Sequence, residues 1–187
     1  CPVKSAAMIV YLHGFNSSPA SGKAKQLGEY MASIGRLADY YCPALPNSPR
    51  EAIALVESTL ARDRAEAITL VGSSLGGFYA THLAEMHGWK AVLVNPAVHA
   101  HQLLREALGI QTNWHTGEKW MLTESHLAEL AAMDAIAISQ PERYLLLAQT
   151  GDEMLDYRDA VSYYAGATQI IEAGGDHGFT GFERHFQ

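Results

Sequence analysis

The glycine-rich turn VGSSLGG at residues 71–77 constrains the fold of this chain more than any other segment. It joins a short apolar run to a stretch with helical periodicity, and its frame Gly72-x-Ser74-x-Gly76 is the pattern of a nucleophile elbow. In such a turn the serine is strained, and a Cβ two residues to either side would crowd the strand or the helix. Ser73 lacks glycines at those positions. The pattern therefore predicts Ser74 as a nucleophile, with an ordinary glycine-rich strand–helix turn as the alternative.

Strand-like and helix-like segments alternate along most of the chain. Short apolar runs predict strands at residues 7–12, 37–42, 67–71, 91–94, 143–149 and 168–172. Helical spacing and capping signals predict helices at residues 23–34, 49–62, 75–87 and 157–164, and a further helix from residue 179. Strands that alternate with crossover helices favour a parallel sheet with helices on both faces. We therefore predict an α/β fold with about six parallel strands.

The segment at residues 98–134 interrupts this alternation. It contains helical patterns at residues 99–108 and 124–133, an irregular stretch at residues 109–122, and no strand pattern. We predict a short helical insertion after the fourth strand, over the carboxyl edge of the sheet, where lids and substrate pockets are often built. With 187 residues and 48% hydrophobic content, residues 1–187 are predicted to form a single domain that includes the insertion.

Charge and cysteine content argue against several classes of partner. The formal net charge is −7 and the basic residues are scattered, which argues against nucleic-acid binding. Cys1 and Cys42 form neither a disulfide framework nor a metal-binding spacing, which favours a reducing compartment. No apolar run approaches the ~18 residues of a membrane span, and no signal-peptide pattern is present. We expect a cytoplasmic protein with a small-molecule partner and with neither a metal nor an organic cofactor.

A serine, an acid and a histidine follow three of the predicted strands. Ligands of parallel α/β sheets bind beyond the carboxyl ends of the strands, and Ser74, Asp152 and His177 all lie at such ends. Their chain order is that of the α/β-hydrolase triad. A serine hydroxyl needs a base to take its proton, and histidine titrates close to neutrality. We predict His177 as that base, with His99 and His115 as the alternatives.

Several carboxylates lie near the predicted base or follow the fifth predicted strand. Asp152 is closest to the strand end, and we predict that it orients His177; Glu153 is the alternative. Asp156 is placed to cap the following helix. Asp176 is predicted to stabilise its loop, because side chains that are adjacent in sequence rarely face each other.

Two backbone N–H groups are predicted to form an oxyanion hole. Leu75 follows the nucleophile and opens a helix, whose dipole favours negative charge there. Phe15, in the loop after the first strand, is predicted to supply the second N–H, and His13 in the same loop is predicted to be a structural hydrogen-bonding residue. The candidate residues of a substrate pocket are Asn16, Met154, Phe179 and Trp120. The alternative is that they pack the core or the lid or, for Asn16, hold the turn.

The predicted site loops lie in five segments: YLHGFNSSP at residues 11–19, VGSSLGGFYAT at 71–81, VNPAV at 94–98, QTGDEMLDYR at 149–158 and GGDHGFTGFE at 174–183. Together these segments resemble the small bacterial YqiA-type esterases of the α/β-hydrolase superfamily, and the likeness extends over essentially the whole chain. The resemblance implies a compact α/β-hydrolase fold with Ser74 as nucleophile, Asp152 as acid and His177 as base. It also implies hydrolysis of carboxylic esters or of acyl thioesters such as acyl-CoA.

The residues and the resemblance together predict a serine esterase or thioesterase that works through an acyl-enzyme. Two alternatives are kept. One is a non-catalytic α/β-hydrolase scaffold that binds a small molecule or a protein, because fold does not fix function. The other is an enzyme that transfers the acyl group to an alcohol or amine instead of water.

Overall fold

A computed structural model describes residues 7–63 and 66–186. Its strands are β1 (Ala7–Leu12), β2 (Tyr40–Tyr41), β3 (Ala67–Ser73), β4 (Lys90–Val94), β5 (Gly109–Thr112), β6 (Lys119–Leu122), β7 (Tyr144–Gln149) and β8 (Thr168–Glu172). Six of them form one sheet in the order β2-β1-β3-β4-β7-β8, and every neighbouring pair is parallel. The prediction of an α/β fold with six parallel strands is confirmed.

Helices cover both faces of this sheet. The described residues form α1 (Gly22–Ser33), α2 (Pro49–Asp63), α3 (Leu75–His87), α4 (Ala100–Leu103), α5 (Glu124–Met133) and α6 (Tyr157–Tyr163). Apolar residues of α2, α3, α5 and α6 pack into one core, and those of α1 and a C-terminal 3₁₀ turn pack into a second. Consecutive strand residues alternate between the two cores, as Val10 and Tyr11 do. Because both faces are buried, the strands are apolar throughout rather than alternating.

The strand β2 is shorter than predicted. Of residues 37–42 only Tyr40 and Tyr41 pair with β1, whereas Leu37–Asp39 forms a 3₁₀ turn. Arg36 closes that turn, because its carbonyl accepts the Asp39 N–H at 3.0 Å and its Nε donates to the Asp39 carboxylate at 2.8 Å. Because β2 lies at the edge of the sheet, it can form ladder hydrogen bonds with β1 alone. These bonds do not outweigh the hydrogen bonds that hold the 3₁₀ turn. The prediction of a strand over residues 37–42 is wrong outside residues 40–41.

The insertion contains a β-hairpin that the sequence pattern did not predict. Residues 109–122, predicted to be irregular, form the antiparallel strands β5 and β6, in which Gln111 faces Trp120 and Ile110 faces Met121. Each strand has only four residues, and the less exposed positions are Gly109 and Gln111 in β5 and Trp120 and Leu122 in β6. The outward positions include the apolar residues Ile110 and Met121, so no clear apolar alternation arises. The predicted helix at residues 99–108 is also interrupted, since α4 continues as a 3₁₀ turn over Leu104–Ala107.

The chain after residue 179 forms a single 3₁₀ turn, Phe182–His185, instead of the predicted helix. Phe179 has φ 61° and Gly181 has φ 81°, and neither value is compatible with a right-handed helix. The Phe179 ring is buried against Phe182 in the core beneath α1. Burial of this ring directly after the loop at residues 174–178 therefore outweighs the local helical pattern.

Candidate active site

The strand β3 ends in a sharp turn with Ser74 at the N-terminus of α3. Ser74 has φ 55° and ψ −120°, a conformation that L-residues rarely adopt. Glycines are required beside it, because a Cβ on Gly72 would lie 2.2 Å from the Gly76 carbonyl oxygen. A Cβ on Gly76 would lie 1.9 Å from the Leu12 carbonyl oxygen. The turn has the geometry of a nucleophile elbow.

Loops from three strand ends bring Ser74, His177 and Asp152 into one line of hydrogen bonds. The Ser74 hydroxyl donates to His177 Nε2 at 3.1 Å. The Nδ1–H of His177 donates to the Asp152 carboxylate, whose Oδ2 and Oδ1 lie 2.9 and 3.0 Å away. The Asp152 side chain is 2% exposed and the His177 side chain 21% exposed, so the carboxylate is shielded while the imidazole remains accessible. Serine hydrolases activate their nucleophile with groups in this order.

The Asp152 carboxyl is held in its ionised form although its side chain is buried. Burial raises its pKa, but the hydrogen bond from His177 and the N–H groups of Leu155 and Met154 outweigh that effect, so the pKa lies below its ordinary value of 3.8. Both N–H groups donate to Asp152 Oδ1 at 2.9 Å. An ionised acid at this place orients the imidazole and stabilises the positive charge that forms when Nε2 takes a proton.

The other carboxylates at this edge have different contacts. Glu153 Oε2 accepts a hydrogen bond from the backbone N–H of His177 at 3.0 Å. Asp156 caps α6 by accepting a backbone N–H, as predicted. Asp176 Oδ2 accepts the hydroxyl of Thr180 at 3.0 Å and so stabilises its loop, also as predicted. Asp152 is therefore the carboxylate that contacts the imidazole ring.

The alternative histidines make no contact with the nucleophile. His99 Nδ1 lies 2.8 Å from Asp134 Oδ2, at the junction between the two ends of the insertion. His115 is exposed in the turn between β5 and β6. Within the described ranges, the histidine that is hydrogen-bonded to Ser74 is His177.

Two backbone N–H groups beside Ser74 have no acceptor among the described residues. Neither Phe15 nor Leu75 donates a backbone hydrogen bond to another described residue. Leu75 opens α3, so its N–H has no acceptor within the helix. The loop that contains Phe15 passes directly beside the nucleophile, since a Cβ on Gly14 would lie 3.2 Å from Ser74 Cβ. Free N–H groups beside a nucleophile are what an oxyanion hole requires.

The β5–β6 hairpin supports the loop that contains Phe15. Asn16, which has φ 54°, donates through Nδ2 to Gln111 Oε1 at 3.1 Å and accepts at Oδ1 from Trp120 Nε1 at 2.8 Å. Its carbonyl accepts the Trp114 N–H at 2.9 Å. The Phe15 ring packs edge-on against Trp120, with ring centroids 5.7 Å apart. Sequence reasoning missed this support because it expected no strands in the insertion.

His13 connects the same loop to the chain after β2. Its Nε2 accepts the Leu45 N–H at 3.0 Å, and its Nδ1–H donates to the Gly14 carbonyl at 3.0 Å. Burial lowers the pKa of His13 from its ordinary value of 6.5, and the bond to Gly14 offsets only part of this effect. The prediction that His13 is a structural hydrogen-bonding residue is confirmed.

His13 predicts a loss of stability in mild acid. The unfolded chain takes up the proton before the folded protein does, so the free energy of unfolding falls as the pH drops from about 6.5 towards the lower folded-state pKa. Protonation of Nε2 also removes the acceptor of the Leu45 N–H. Urea unfolding between about pH 8 and pH 5 is expected to show a smaller acid loss in His13→Gln than in the unsubstituted protein. Equal acid losses in the two proteins would contradict this assignment.

An open cleft with a volume of about 890 Å³ surrounds Ser74 and His177. Its lining includes three of the predicted pocket residues, Asn16, Met154 and Phe179. One wall is formed by apolar residues at the start of the insertion, namely Ala97, Ala100, Leu103, Leu104 and Ala107. The cleft is therefore largely apolar next to the nucleophile.

Trp120, the fourth predicted pocket residue, does not line this cleft. It lines a smaller cavity of about 40 Å³ that shares Phe15 and Leu75 with the cleft and is closed by the loop after β2 and by α5. Its indole is used to hold Asn16, and its ring packs edge-on against His126. The placement of Trp120 in the main pocket is corrected accordingly: Trp120 packs behind the loop that contains Phe15 and Asn16.

Gln149, at the end of β7, is another residue that sequence reasoning missed. Its Oε1 accepts the backbone N–H groups of Asp176 and Thr180, at 3.2 and 3.0 Å, and its Nε2 donates to the Thr180 carbonyl at 2.8 Å. It therefore holds both sides of the loop that contains His177. The available signal was a polar residue at the end of an otherwise apolar strand.

Metal sites and membrane spans were both sought in residues 7–63 and 66–186. In these ranges no three His, Cys, Asp or Glu side chains are grouped so that they could hold a metal ion. None of the helices in the same ranges is long and apolar enough to cross a bilayer.

Comparisons with known proteins place the fold and the family. The chain is similar to the α/β-hydrolase domain-containing protein 10 from mouse, with a TM-score of 0.72, 18% identity, and coverage of 98% of this chain and 87% of that chain. It is similar to Est1E from Butyrivibrio proteoclasticus, solved with ferulic acid bound, with a TM-score of 0.70, 13% identity, and coverage of 98% and 86%. For the esterase domain of a Rhodothermus marinus protein the TM-score is 0.67, with 15% identity and coverage of 97% and 82%. At these identities the likeness shows the fold.

The family follows from a different comparison. The model of the uncharacterised protein family UPF0227 matches residues 8–187, which include the elbow and all three strand-end loops of the site. The resemblance drawn from the five sequence segments is thereby confirmed. The chain is a member of the uncharacterised protein family UPF0227, the YqiA-like esterase family of the α/β-hydrolase superfamily.

Proposed function

We propose that this protein is a serine hydrolase that cleaves carboxylic esters or acyl thioesters through an acyl-enzyme intermediate. The observation that carries the proposal is the hydrogen-bonded line from Ser74 through His177 to Asp152 at an open, largely apolar cleft. Such a line supplies an activated nucleophile and a base that is held in one tautomer. Membership of the YqiA-like family supports the same reaction class.

In the proposed acylation, Ser74 Oγ attacks the carbonyl carbon of the acyl group while His177 Nε2 takes the hydroxyl proton. Asp152 accepts the Nδ1–H throughout and stabilises the imidazolium. The N–H groups of Phe15 and Leu75 bind the negatively charged oxygen of the tetrahedral intermediate, and the positive end of the α3 dipole adds to the attraction. The intermediate collapses as the C–O or C–S bond breaks, and His177 gives its proton to the leaving alcohol or thiol.

In the proposed deacylation, a water molecule takes the place of the leaving group. His177 removes a proton from the water as the water oxygen attacks the acyl carbon attached to Ser74. Collapse of the second tetrahedral intermediate releases the carboxylic acid, and His177 returns the proton to Ser74 Oγ. The enzyme is then in its starting state.

The cleft wall supports an acyl group as the part of the substrate that is bound next to Ser74. Ala97 is linked to the nucleophile, because its N–H donates to the Ser74 carbonyl at 3.0 Å, and the apolar wall continues from it along the insertion. Met154, 61% exposed, lies in the loop that also holds Asp152, and it offers a flexible apolar contact. A hydrocarbon chain bound against such a surface is favoured over a polar substituent, because apolar area is removed from water without the loss of a polar group's hydration.

Purified protein incubated with p-nitrophenyl acyl esters and with acyl thioesters of matched chain length tests the proposal. We expect release of p-nitrophenol and of free thiol, with the carboxylic acid as the second product. Addition of a competing alcohol distinguishes hydrolysis from acyl transfer, since transfer would yield the new ester instead of the acid. A protein that binds these compounds without turnover and without a covalent acyl adduct would contradict the proposal.

A further inference from the structure

The segment directly after β4 is joined to the nucleophile on both sides. The Val94 carbonyl accepts the Ser74 N–H at 3.2 Å, and the Ala97 N–H donates to the Ser74 carbonyl at 3.0 Å. Residues 94–97 therefore hold the backbone of the elbow in place. Two residues, Asn95 and Pro96, lie between these contacts, and Asn95 has no role in the mechanism above.

Asn95 uses its whole side-chain amide to hold the loop of the base. It is 3% exposed. Its Nδ2 donates to the carbonyls of Asp176 and His177, at 2.9 and 3.2 Å, and its Oδ1 accepts the N–H of Gln149 at 3.0 Å. Its own N–H donates to the Leu147 carbonyl at 2.9 Å, which fixes its backbone to β7. The amide thus connects β4 and β7 with the loop of the base.

We propose that Asn95 is a positioning residue that sets the place of His177 relative to Ser74; this inference rests on the proposed serine hydrolase function. One short segment holds the nucleophile through the backbone of residues 94 and 97 and the base through the side chain of residue 95. The same segment therefore contacts both groups whose separation, from Ser74 Oγ to His177 Nε2, governs the proton transfer. Proton transfer between these atoms depends steeply on that distance.

The backbone conformation of Asn95 allows its side-chain amide to be removed without a change in the main chain. Its φ is 41°, in the left-handed region that glycine adopts freely and that asparagine tolerates better than most residues. A glycine here would keep the turn and would lose only the hydrogen bonds of the side chain. The presence of asparagine therefore points to the amide as the part that matters.

The remaining contacts of the loop do not replace this amide. Glu153 accepts the His177 N–H, and the Lys23 ammonium donates to the Gly178 carbonyl at 2.6 Å. Both hydrogen bonds come from residues at the rim of the cleft. Gln149 also holds the loop, but it accepts the N–H groups of Asp176 and Thr180 and does not contact the carbonyls of residues 176 and 177. Within the described ranges, the side-chain donor to the carbonyls of residues 176 and 177 is Asn95.

Asn95→Asp is the sharpest test, because it keeps the size of the side chain and replaces the donor with an acceptor. The buried carboxylate would face two carbonyl oxygens, which repel it and favour its protonated form. When protonated, the new carboxyl can donate one of the two lost hydrogen bonds. The loss in kcat is therefore expected to be largest at neutral pH and to become smaller in mild acid.

Gln169→Glu is a matched control. Gln169 Nε2 also donates to two backbone carbonyls, those of Val161 and Tyr164, at 3.1 and 2.9 Å, but it joins β8 to α6 away from the cleft. The same amide-to-carboxylate change at this position lowers stability without moving His177. Its kcat is expected to stay within about twofold of the unsubstituted protein.

For p-nitrophenyl butyrate at neutral pH, we expect Asn95→Asp to lower kcat about 100-fold with KM changed by less than about threefold. The ratio of unsubstituted to variant kcat should fall as the pH is lowered below about 6. Asn95→Gly should show a similar loss at neutral pH and no such recovery, and it provides the test if Asn95→Asp does not fold.

Three outcomes decide the inference. A kcat for folded Asn95→Gly equal to that of the unsubstituted protein would overturn it, as would a loss in Gln169→Glu as large as that in Asn95→Asp. A pH-independent defect in folded Asn95→Asp would also overturn it. If the unsubstituted protein itself neither turns over the ester nor forms an acyl-enzyme, the proposed function fails, and the inference fails with it for that separate and visible reason.

Discussion

The Ser74→Ala variant is expected to lose at least about 10⁴-fold in kcat for p-nitrophenyl ester hydrolysis. The substitution removes the oxygen that attacks the substrate and leaves the imidazole, the carboxylate and the free N–H groups in place. Residual turnover can then come only from water activated by His177 or from binding effects. Because alanine must adopt the same strained φ of 55°, the free energy of unfolding should change by no more than about 1 kcal/mol.

Ser73→Ala is the matched control for this loss. Ser73 is the last residue of β3, is buried, and directs its hydroxyl to Tyr11. Its removal should leave kcat within about fivefold of the unsubstituted protein. Turnover by Ser74→Ala at the original rate, or a loss in Ser73→Ala of comparable size, would show that the elbow presents a different serine.

The second large effect concerns folding instead of chemistry. Gly76→Ala is expected to lower the free energy of unfolding by about 4 kcal/mol or more, because the added Cβ would lie 1.9 Å from the Leu12 carbonyl oxygen. The obstructing atom is backbone at the end of β1, which pairs with strands on both sides, so it cannot move aside as a flexible side chain would. The crossing of α3 over β1 and the exposure of Ser74 both depend on this close approach.

Gly22→Ala provides the comparison. Gly22 is the first residue of α1, and a Cβ there meets no atom within 4 Å. Alanine at this position should leave stability unchanged or raise it by up to about 1 kcal/mol. Urea unfolding of both variants measures the difference. A Gly76→Ala protein as stable as Gly22→Ala would mean that the elbow does not pack against β1 as described.

The parts of the site with local signals were predictable from the sequence. The elbow has its signal in its own glycines, since Gly72 and Gly76 are required by contacts within one strand–turn–helix unit. The capping role of Asp156 is equally local. Asp152 and His177 could be proposed because parallel strands deliver their carboxyl-terminal loops to one edge, so that position along the chain predicts proximity in space.

The insertion could not be predicted in the same way. The pairing of Gln111 with Trp120 buries an amide and an indole against Asn16, a residue 104 positions away from Trp120 in the sequence. Gln111 and Trp120 lie at inward positions where they form hydrogen bonds with the distant loop that contains Asn16. An apolar periodicity that would indicate a strand is therefore weak in this segment. For the same reason the sequence could not show that the Trp120 indole N–H donates to Asn16 in the loop that contains Phe15, and that Trp120 does not line the main cleft.

The residues that hold the loop containing His177 could not be predicted from local patterns either. Asn95 contacts residues 81 and 82 positions away, and Gln149 contacts a loop 27 to 31 positions away. Their amides replace regular backbone pairing where β4 and β7 end. A polar residue at the end of a buried strand is the only local signal, and it does not specify the partner.

Covalent labelling shows directly whether Ser74 is an activated nucleophile. The intact mass of the protein after reaction with a fluorophosphonate, followed by peptide mapping, reports which residue is nucleophilic. We expect a single adduct per chain on Ser74, and none when Ser74→Ala is treated in the same way. An unmodified chain, or an adduct on any other residue, would contradict it.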